Sequence, residues 1–375
     1  MLYSTLSFKA FPTCYADVSA FTPKEGAAEY HIMVYTQGTP DRAITEMGLF
    51  IGKCLKKAPY KNAVPLFVRL FLSDAQAQND AVHRMADTLC RLAAKANASS
   101  ASPSTPVPAL SVIEQAPADG SPLAAWIYLK EDDGSLANYV WTTEKFATSG
   151  NVTQQTLKLL MDYSKTLEYR ACTINNHCIR TWFYVRDIDR NYAAFAKTRK
   201  DYFTRIGLTD KTHYIASTGI QGNNAAPGSF VTMDALSIKN IRPDQITYLH
   251  GLSHLSPTHL YGVTFERGVA VQGSDRKTLY ISGTASIDNK GNVMYLNDIE
   301  KQTLRMWENV EVLLKEAGAT FAHLAQCIVY LRNPEDYDVV KALFETQFPS
   351  VPCLITRAPV CRPTWLIEME CIAVL

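Results

Sequence analysis

Short apolar runs separated by polar stretches predict strands in the first part of the chain. HIMVYT, from His31, and VPLFVRLFL, from Val64, have the length and composition of strands, and residues 80–96 have the apolar spacing of an amphipathic helix. The next stretch, residues 96–122, is rich in Ser, Ala and Pro and shows no period. It predicts a surface loop or insertion, and a linker between two domains is the alternative.

The rest of the chain contains an internal repeat. QTLKLLMDYSKTL, from Gln155, is similar to QTLRMWENVEVLL, from Gln302, which lies 147 residues later. YVRDIDRNYAAF, from Tyr184, is similar to YLRNPEDYDVVKALF, from Tyr330, which lies 146 residues later. Each copy has the order strand, helix, strand, helix and closing strand, and the two closing strands are FVTMDALSI and LIEMECIAV.

The helices of these copies are amphipathic. In the second copy, apolar residues at helical spacing predict one buried face that ends at Gly318, a C-cap residue. These residues are Leu304, Trp307, Val310, Leu313, Leu314 and Ala317. This order predicts an α+β fold with helices packed on one face of a mixed sheet. The other face must be covered by a neighbouring unit of the chain or by another subunit.

Composition narrows the class of protein. The formal net charge is +1, which argues against a nucleic-acid-binding surface, so an anion would need a local cluster of Arg or Lys. There is neither an apolar stretch of membrane-spanning length nor a signal-peptide pattern at the N-terminus. Nine Cys without CxxC spacing indicate reduced thiols, a cytoplasmic location and no zinc site.

Several segments near the C-terminus resemble the Rid/YjgF family. They are YISGTASID from Tyr280, the helix from Gln302, CIVYLRNPEDY from Cys327 and EMECIAV from Glu368. The resemblance implies a chorismate-mutase-like fold that assembles as a homotrimer, with active sites between subunits.

Further segments resemble the chorismatase branch of that superfamily. The chorismatase pattern has an Arg, a Trp and then a helix that ends in an Arg, and all three are present in IRTWFYVRDIDRNYAAFAKTRKDYF, from Ile179. The segments ASTGIQG and LYGVTFERG also resemble chorismatase segments. Phe183 stands where that pattern has Asn, and Thr198 where it has Gly. The branch cleaves chorismate to pyruvate plus a dihydroxycyclohexadienoate or a hydroxybenzoate, which implies a small anionic substrate and neither a metal nor an organic cofactor.

These observations predict three parts. Residues 1–135 form an N-terminal α/β segment with the Ser/Pro-rich loop, and this part has no match to the family. Residues 136–255 form a degenerate Rid-like unit, and residues 256–375 form the C-terminal Rid/YjgF-like domain.

Two carboxylates in the last strand are candidates for chemistry. Strand alternation places Glu368 and Glu370 on one face, where burial and the like charge would raise a carboxyl pKa. Aligning the closing strands places Thr232 opposite Glu368 and Asp234 opposite Glu370, so the first copy lacks the first acid. Glu368 also falls on the family's Glu, and it is the candidate general acid. For Glu370, an ion pair that closes the sheet is favoured.

An anionic substrate needs fixed cations, and Arg binds carboxylates bidentately. The candidate substrate-binding residues are Arg180, Arg199, Arg267, Arg362, Tyr261 and Gly268, of which the last is a position where the family varies with product type. The alternative for each Arg is a solvated surface side chain, and packing is the alternative for Tyr261. The glycines of SGTASI and STGIQG could let a ligand approach the backbone. Cys361 lacks a His partner, which argues against a nucleophile.

Three functions remain open. The first is a chorismatase-like lyase or hydrolase. The second is a Rid-type enamine/imine deaminase, but the Arg that those proteins carry just after a Phe-Pro pair is missing here, and Val351 stands near its place. The third is a non-catalytic protein that binds a small ligand.

Overall fold

The computed structural model describes residues 1–97, 108–258 and 262–375. Three sheets of six, four and six strands follow one another along the chain. The first sheet and its helices comprise β1 (Leu2–Ser7), β2 (Cys14–Phe21), β3 (Glu29–Thr36), α1 (Pro40–Cys54), β4 (Ala63–Leu72), α2 (Ala75–Asn97), β5 (Ala109–Glu114) and β6 (Leu123–Glu131). The strand order is β1-β2-β3-β6-β4-β5.

The second and third units continue the chain. The second comprises β7 (Tyr139–Phe146), α3 (Val152–Glu168), α4 (Ile174–His177), β8 (Cys178–Val185), α5 (Ile188–Arg205), β9 (Ala216–Gln221) and β10 (Val231–Ile238), in the order β7-β10-β8-β9. The third comprises β11 (Ile246–Leu249), β12 (Gly268–Gln272), β13 (Lys277–Ala285), α6 (Ile299–Glu316), β14 (Leu324–Leu331), α7 (Tyr337–Gln347), β15 (Cys353–Arg357) and β16 (Ile367–Val374), in the order β11-β12-β13-β16-β14-β15.

The first and third units have the same topology. Their strand orders are equivalent, and each contains one parallel pair, β4 with β5 and β14 with β15. The second unit has the same arrangement without the first two strands. The N-terminal segment, which showed no sequence match, is therefore a third copy of the unit, and the chain contains three copies rather than two.

Strand β5 corrects the prediction that residues 96–122 form a loop. ALSVIE pairs in parallel with β4, and Val112 and Ile113 are buried. A six-residue strand next to Ser- and Pro-rich sequence is too short to show a period. Residues 98–107 of that predicted loop lie outside the described residues. The third sheet also begins earlier than the predicted boundary at 256, since β11 pairs with β12.

Capping and amphipathicity define the helices. The Asn151 side chain accepts from the Gln154 backbone N–H in a capping box at the start of α3. At the start of α6 the Asp298 side chain accepts from the Lys301 backbone N–H. The face of α6 that includes Val310 and Leu313 is buried, whereas Leu304, predicted on that face, is exposed. Within the part of the chain that the model describes, none of the helices combines the length and the hydropathy of a bilayer-crossing segment.

The helices cover one face of each sheet, and the opposite faces of the three sheets meet in a shared core. Trp126, Trp182 and Tyr330, each from a different sheet, are buried in it. Of the two alternatives for covering the sheets, the structure therefore shows a neighbouring unit of the same chain. Any pocket between units lies at a junction within one chain.

Candidate active site

Glu368 lies near the start of β16, between its pairing partners Ala285 on β13 and Tyr330 on β14. Thr232 has the same register against Tyr184, which confirms the alignment of the two closing strands. The side chain of Glu368 is 4% exposed. Burial raises its pKa to about 8, and the nearby Glu370 adds to this effect. At neutral pH the carboxyl of Glu368 therefore holds a proton.

Gly283 makes room for this carboxyl. A Cβ at position 283 would collide with Oε1 of Glu368 and lie 3.2 Å from Cγ2 of Thr218. The register between β13 and β16 shifts between Ile281 and Thr284, so Gly283 lies in an irregularity of the ladder. Gly283, the glycine of SGTASI, thus leaves space for the Glu368 side chain. The sequence had instead predicted that this glycine lets a ligand approach the backbone.

Glu370 has a different environment from Glu368. It accepts hydrogen bonds from Nη2 of Arg180 at 2.8 Å, Nε1 of Trp182 at 2.7 Å and Oγ1 of Thr218 at 2.5 Å. Glu370 forms ion pairs with Arg180 and, at 4.0 Å, with Arg69. These pairs connect different sheets, whereas the sequence predicted one that closes a single sheet. No described residue donates a hydrogen bond to Glu368, so the two acids differ in solvation although they lie two residues apart.

The structure corrects the prediction that Arg180 binds substrate. Its Nη2 is directed to Glu370 and to Oγ1 of Thr218, at 2.5 Å, and the residue does not line the pocket beside Glu368. Its charge still acts on the site, because it opposes the rise of the pKa of Glu368. Arg180 therefore acts on the site through Glu370 and through its charge.

A small pocket with a cavity volume of about 30 Å³ lies beside Glu368. The second unit contributes α5 and β9, and the third unit contributes β13 and the segments that precede β12 and β16. The lining residues are Tyr192, Arg199, Ser217, Gly219, Val263, Phe265, Arg267, Gly283, Ala285, Ile287, Cys361, Arg362, Trp365 and Glu368. The site thus lies at the junction of two units.

Arg199 supplies a buried cation to this pocket. It is 1% exposed, and its Nη1 lies 3.4 Å from Oγ of Ser217. No acidic side chain among the described residues forms an ion pair with it. Burial lowers its pKa, because an unpaired guanidinium is costly to remove from water. A ligand carboxylate would offset that penalty.

Arg267 and Arg362 line the same pocket from the third unit. Nη2 of Arg267 donates to the carbonyl oxygen of Ser256 at 2.9 Å, and its charge opposes the rise of the pKa of Glu368. Cζ of Arg362 lies 5.6 Å from the ring centre of Trp365. The pocket thus combines three guanidinium groups with one protonated carboxyl.

Gly268 is not among the residues that line this pocket. A Cβ on Gly268 would meet Cδ1 of Ile281 at 3.0 Å and Cδ1 of Leu249 at 3.2 Å, so this glycine allows close packing between strands. Tyr261 lies outside the described residues.

Tyr192 and Thr218 were missed from the sequence. Tyr192 lines the pocket beside Arg199 and Cys361, and Thr218 lies between Glu370 and Gly283, whose N–H it accepts at 3.0 Å. Burial raises the pKa of the Cys361 thiol to about 12, so it stays protonated and is a poor nucleophile. Among the residues that the structure describes, no three His, Cys, Asp or Glu side chains form a metal-binding group.

Comparisons with known proteins agree with this architecture. The family model described as Endoribonuclease L-PSP matches residues 267–375. A RutC family protein of Pyrococcus abyssi is 30% identical over 100 residues, which are 25% of this chain and 76% of the relative. Another RutC family protein, of Saccharolobus solfataricus, is 31% identical over 74 residues, which are 20% of this chain and 59% of that relative's length.

A crystal structure of a chorismatase is similar over a greater length. It covers 83% of this chain and 93% of its own, with a TM-score of 0.59 and 16% identity. At that identity the likeness shows the fold, and it extends over more than one of the three units. Because this chain covers 76% of the Pyrococcus relative at 30% identity, and because the family model matches residues 267–375, the chain belongs to the Rid/YjgF (endoribonuclease L-PSP) family.

Proposed function

We propose that the protein is a chorismatase-like enzyme that cleaves the enolpyruvyl ether of chorismate, with Glu368 as its general acid. The observation that supports this proposal most directly is a buried, protonated carboxyl beside three guanidinium groups in one pocket. The fold likeness to a chorismatase agrees with it.

The chemistry requires a proton donor near neutral pH. Glu368 gives its proton to the terminal methylene carbon of the vinyl ether, and the electrons of the double bond form the new C–H bond. The resulting oxocarbenium ion loses pyruvate after attack by water, which leaves a dihydroxycyclohexadienoate. Without net uptake of water, rearrangement of the ring gives a hydroxybenzoate. A pKa of about 8 keeps the acid protonated before the step.

Under this proposal the arginines bind the substrate, and the acid protonates it. Chorismate carries two carboxylates, and Arg199, Arg267 and Arg362 reach the pocket from two different units. Guanidinium groups bind carboxylates bidentately and fix their orientation. Two bound carboxylates also keep Glu368 protonated, because added negative charge raises its pKa further.

One chain has one such site under this proposal. The positions that match Glu368 in the first and second units, by their pairing with Phe71 and Tyr184, are Ala124 and Thr232. The three units of one chain take the place of the subunits whose junctions form the sites in the homotrimer that the resemblance implies. The homotrimer itself stays a prediction.

The test is pyruvate release from chorismate by the purified protein. Glu368→Gln keeps the size of the side chain and removes the proton, and we expect pyruvate release to fall by at least about 100-fold. Glu308→Gln, on the exposed side of α6, is the matched control and should keep full activity. Turnover of 2-aminoacrylate without pyruvate from chorismate would favour the imine deaminase. Tight dicarboxylate binding with neither activity would favour a binding protein.

A further inference from the structure

A second pocket occupies the equivalent position at the junction of the third and first units. It has a cavity volume of about 280 Å³. The active-site pocket uses α5 and β9 of one unit, and this second pocket uses α7 and β15, the same elements one unit later. Its other wall comes from β2, β3 and the loop before β6, which match β12, β13 and the loop before β16. The fold therefore builds the same kind of cleft twice.

The charges of the two pockets are inverted at matching positions. Val18 and Gly268 occupy equivalent places in their sheets, as shown by their pairing with the third strand of each unit. Asp17, the residue before Val18, therefore stands where the active-site pocket has Arg267, the residue before Gly268. Both side chains line their pockets.

The helices show the same inversion. Tyr184 and Tyr330 have the same register against the closing strands, and counting the same distance along the chain from each leads to Arg199 and to Glu345. Arg199 lines the first pocket and Glu345 lines the second.

The loops before the closing strands extend the pattern. Arg362 lines the active-site pocket from the loop before β16, and Asp119 lines the second pocket from the loop before β6. Arg199 and Arg267 thus have acidic counterparts at matching positions, and Asp119 is next to Ala118, which stands at the place of Arg362.

The second pocket lacks the catalytic acid. Ala124 stands where β16 has Glu368, and Tyr35, its pairing partner, stands where β13 has Ala285. The Tyr35 ring lines this pocket, whereas Glu368 lines the other one. With Ala124 in place of Glu368, the second pocket is suited to binding a ligand and not to transferring a proton to it.

Aromatic rings form the rest of the wall. The rings of Tyr15 and Tyr35 stack with centres 4.8 Å apart, and both line the pocket with Tyr337. Nζ of Lys341 lies 5.8 Å from the ring centre of Tyr337, so a ring of this pocket already faces an ammonium group. Of the described lining residues Lys341 is the one cation, and it pairs with Glu345 at 3.8 Å.

We propose that this second pocket binds a small organic cation, an amine or ammonium compound with an apolar body, through Asp17, Asp119, Glu345 and the tyrosine rings. Carboxylates attract the ammonium group, and the negative faces of the rings stabilise it. The inference uses the geometry of the active-site pocket and not its reaction, so it stands apart from the proposed function.

The test is titration with 2-phenylethylamine by calorimetry, with phenylacetate as the probe of opposite charge and similar size. We expect saturable binding of the amine and none of the acid in this pocket. Asp17→Asn and Glu345→Gln should each weaken amine binding about fivefold, the effect of one partly exposed charge. The Glu345 side chain is 68% exposed, so its replacement leaves folding intact.

Controls separate this site from the active site. Glu368→Gln should leave the amine affinity unchanged, and Asp17→Asn should leave pyruvate release unchanged. The inference is overturned if the intact protein shows no saturable amine binding, if phenylacetate displaces the amine from this pocket, or if neither acidic variant changes the amine affinity.

Discussion

Replacing Glu368 by Gln tests whether the fold retains a proton on this carboxyl. Below pH 4.5, the ordinary pKa, the group is protonated in both the folded and the unfolded chain and contributes no pH dependence. Between 4.5 and about 8 the unfolded chain releases the proton while the folded chain keeps it. Stability must therefore fall as pH rises through this interval, and Gln, which has no proton to lose, removes the effect.

The magnitude follows from the two pKa values. Each pH unit in the interval lowers the free energy of unfolding by about 1.4 kcal/mol. Over the whole interval the loss is on the order of 5 kcal/mol, which is a large part of a domain's stability. The variant should accordingly be more stable than the native chain at pH 8 and close to it at pH 4.5, although it has lost activity.

Denaturant unfolding of both proteins from pH 4.5 to 9 measures this difference. Subtracting one profile from the other cancels the remaining titrating groups, and Glu308→Gln, an exposed acid, should follow the native profile. In parallel, pyruvate release by the native protein should decline above pH 8. Parallel stability profiles of the native chain and Glu368→Gln would show that residue 368 is ionised in the fold, and the general-acid argument would then be wrong.

Three further substitutions test other parts of the site. Gly283→Ala pushes the Glu368 carboxyl aside, so we expect pyruvate release to fall at least about tenfold while the protein still folds. The control Gly273→Ala, at the other end of the β12–β13 hairpin, should keep full activity in the same assay. Arg199→Met should raise the KM for chorismate at least about tenfold. Thermal unfolding should show equal or higher stability, because the substitution removes a buried unpaired charge, and a large loss of stability would contradict this. Glu370→Gln should destabilise the fold by about 3–5 kcal/mol in denaturant unfolding, because Arg180 loses its buried partner, and an unchanged midpoint would show that the ion pair is dispensable.

The third unit and its acid could be predicted because their signals are local. Alternation along β16 and the comparison with Thr232 single out Glu368 from sequence alone, and the register of the closing strands confirms that comparison. The motif around Gly283 was also visible, although its role depends on a side chain from another strand.

The first unit could not be recognised in this way. Strand order and strand pairing are what identify it as a copy of the unit. Its sequence carries no signal at the position of Glu368, where it has Ala124. The role of Arg180 was also out of reach, because its partner Glu370 belongs to another unit and lies 190 residues away. An Arg in an apolar strand indicates a partner, but the sequence does not say whether that partner is a substrate or a residue of another strand.

A single chain with three units allows what a homotrimer cannot. In a homotrimer every junction carries the same residues, so an acid needed at one would stand at all three. Here Arg69 of the first unit pairs with Asp234 of the second at 3.0 Å, and Arg180 of the second pairs with Glu370 of the third. The two pairs do not repeat one contact, because Trp182 stands in the second unit where the first unit has Arg69. The buried network thus fixes how the units meet, and the junctions are free to differ, one with a protonated acid among arginines and another with acids among tyrosine rings.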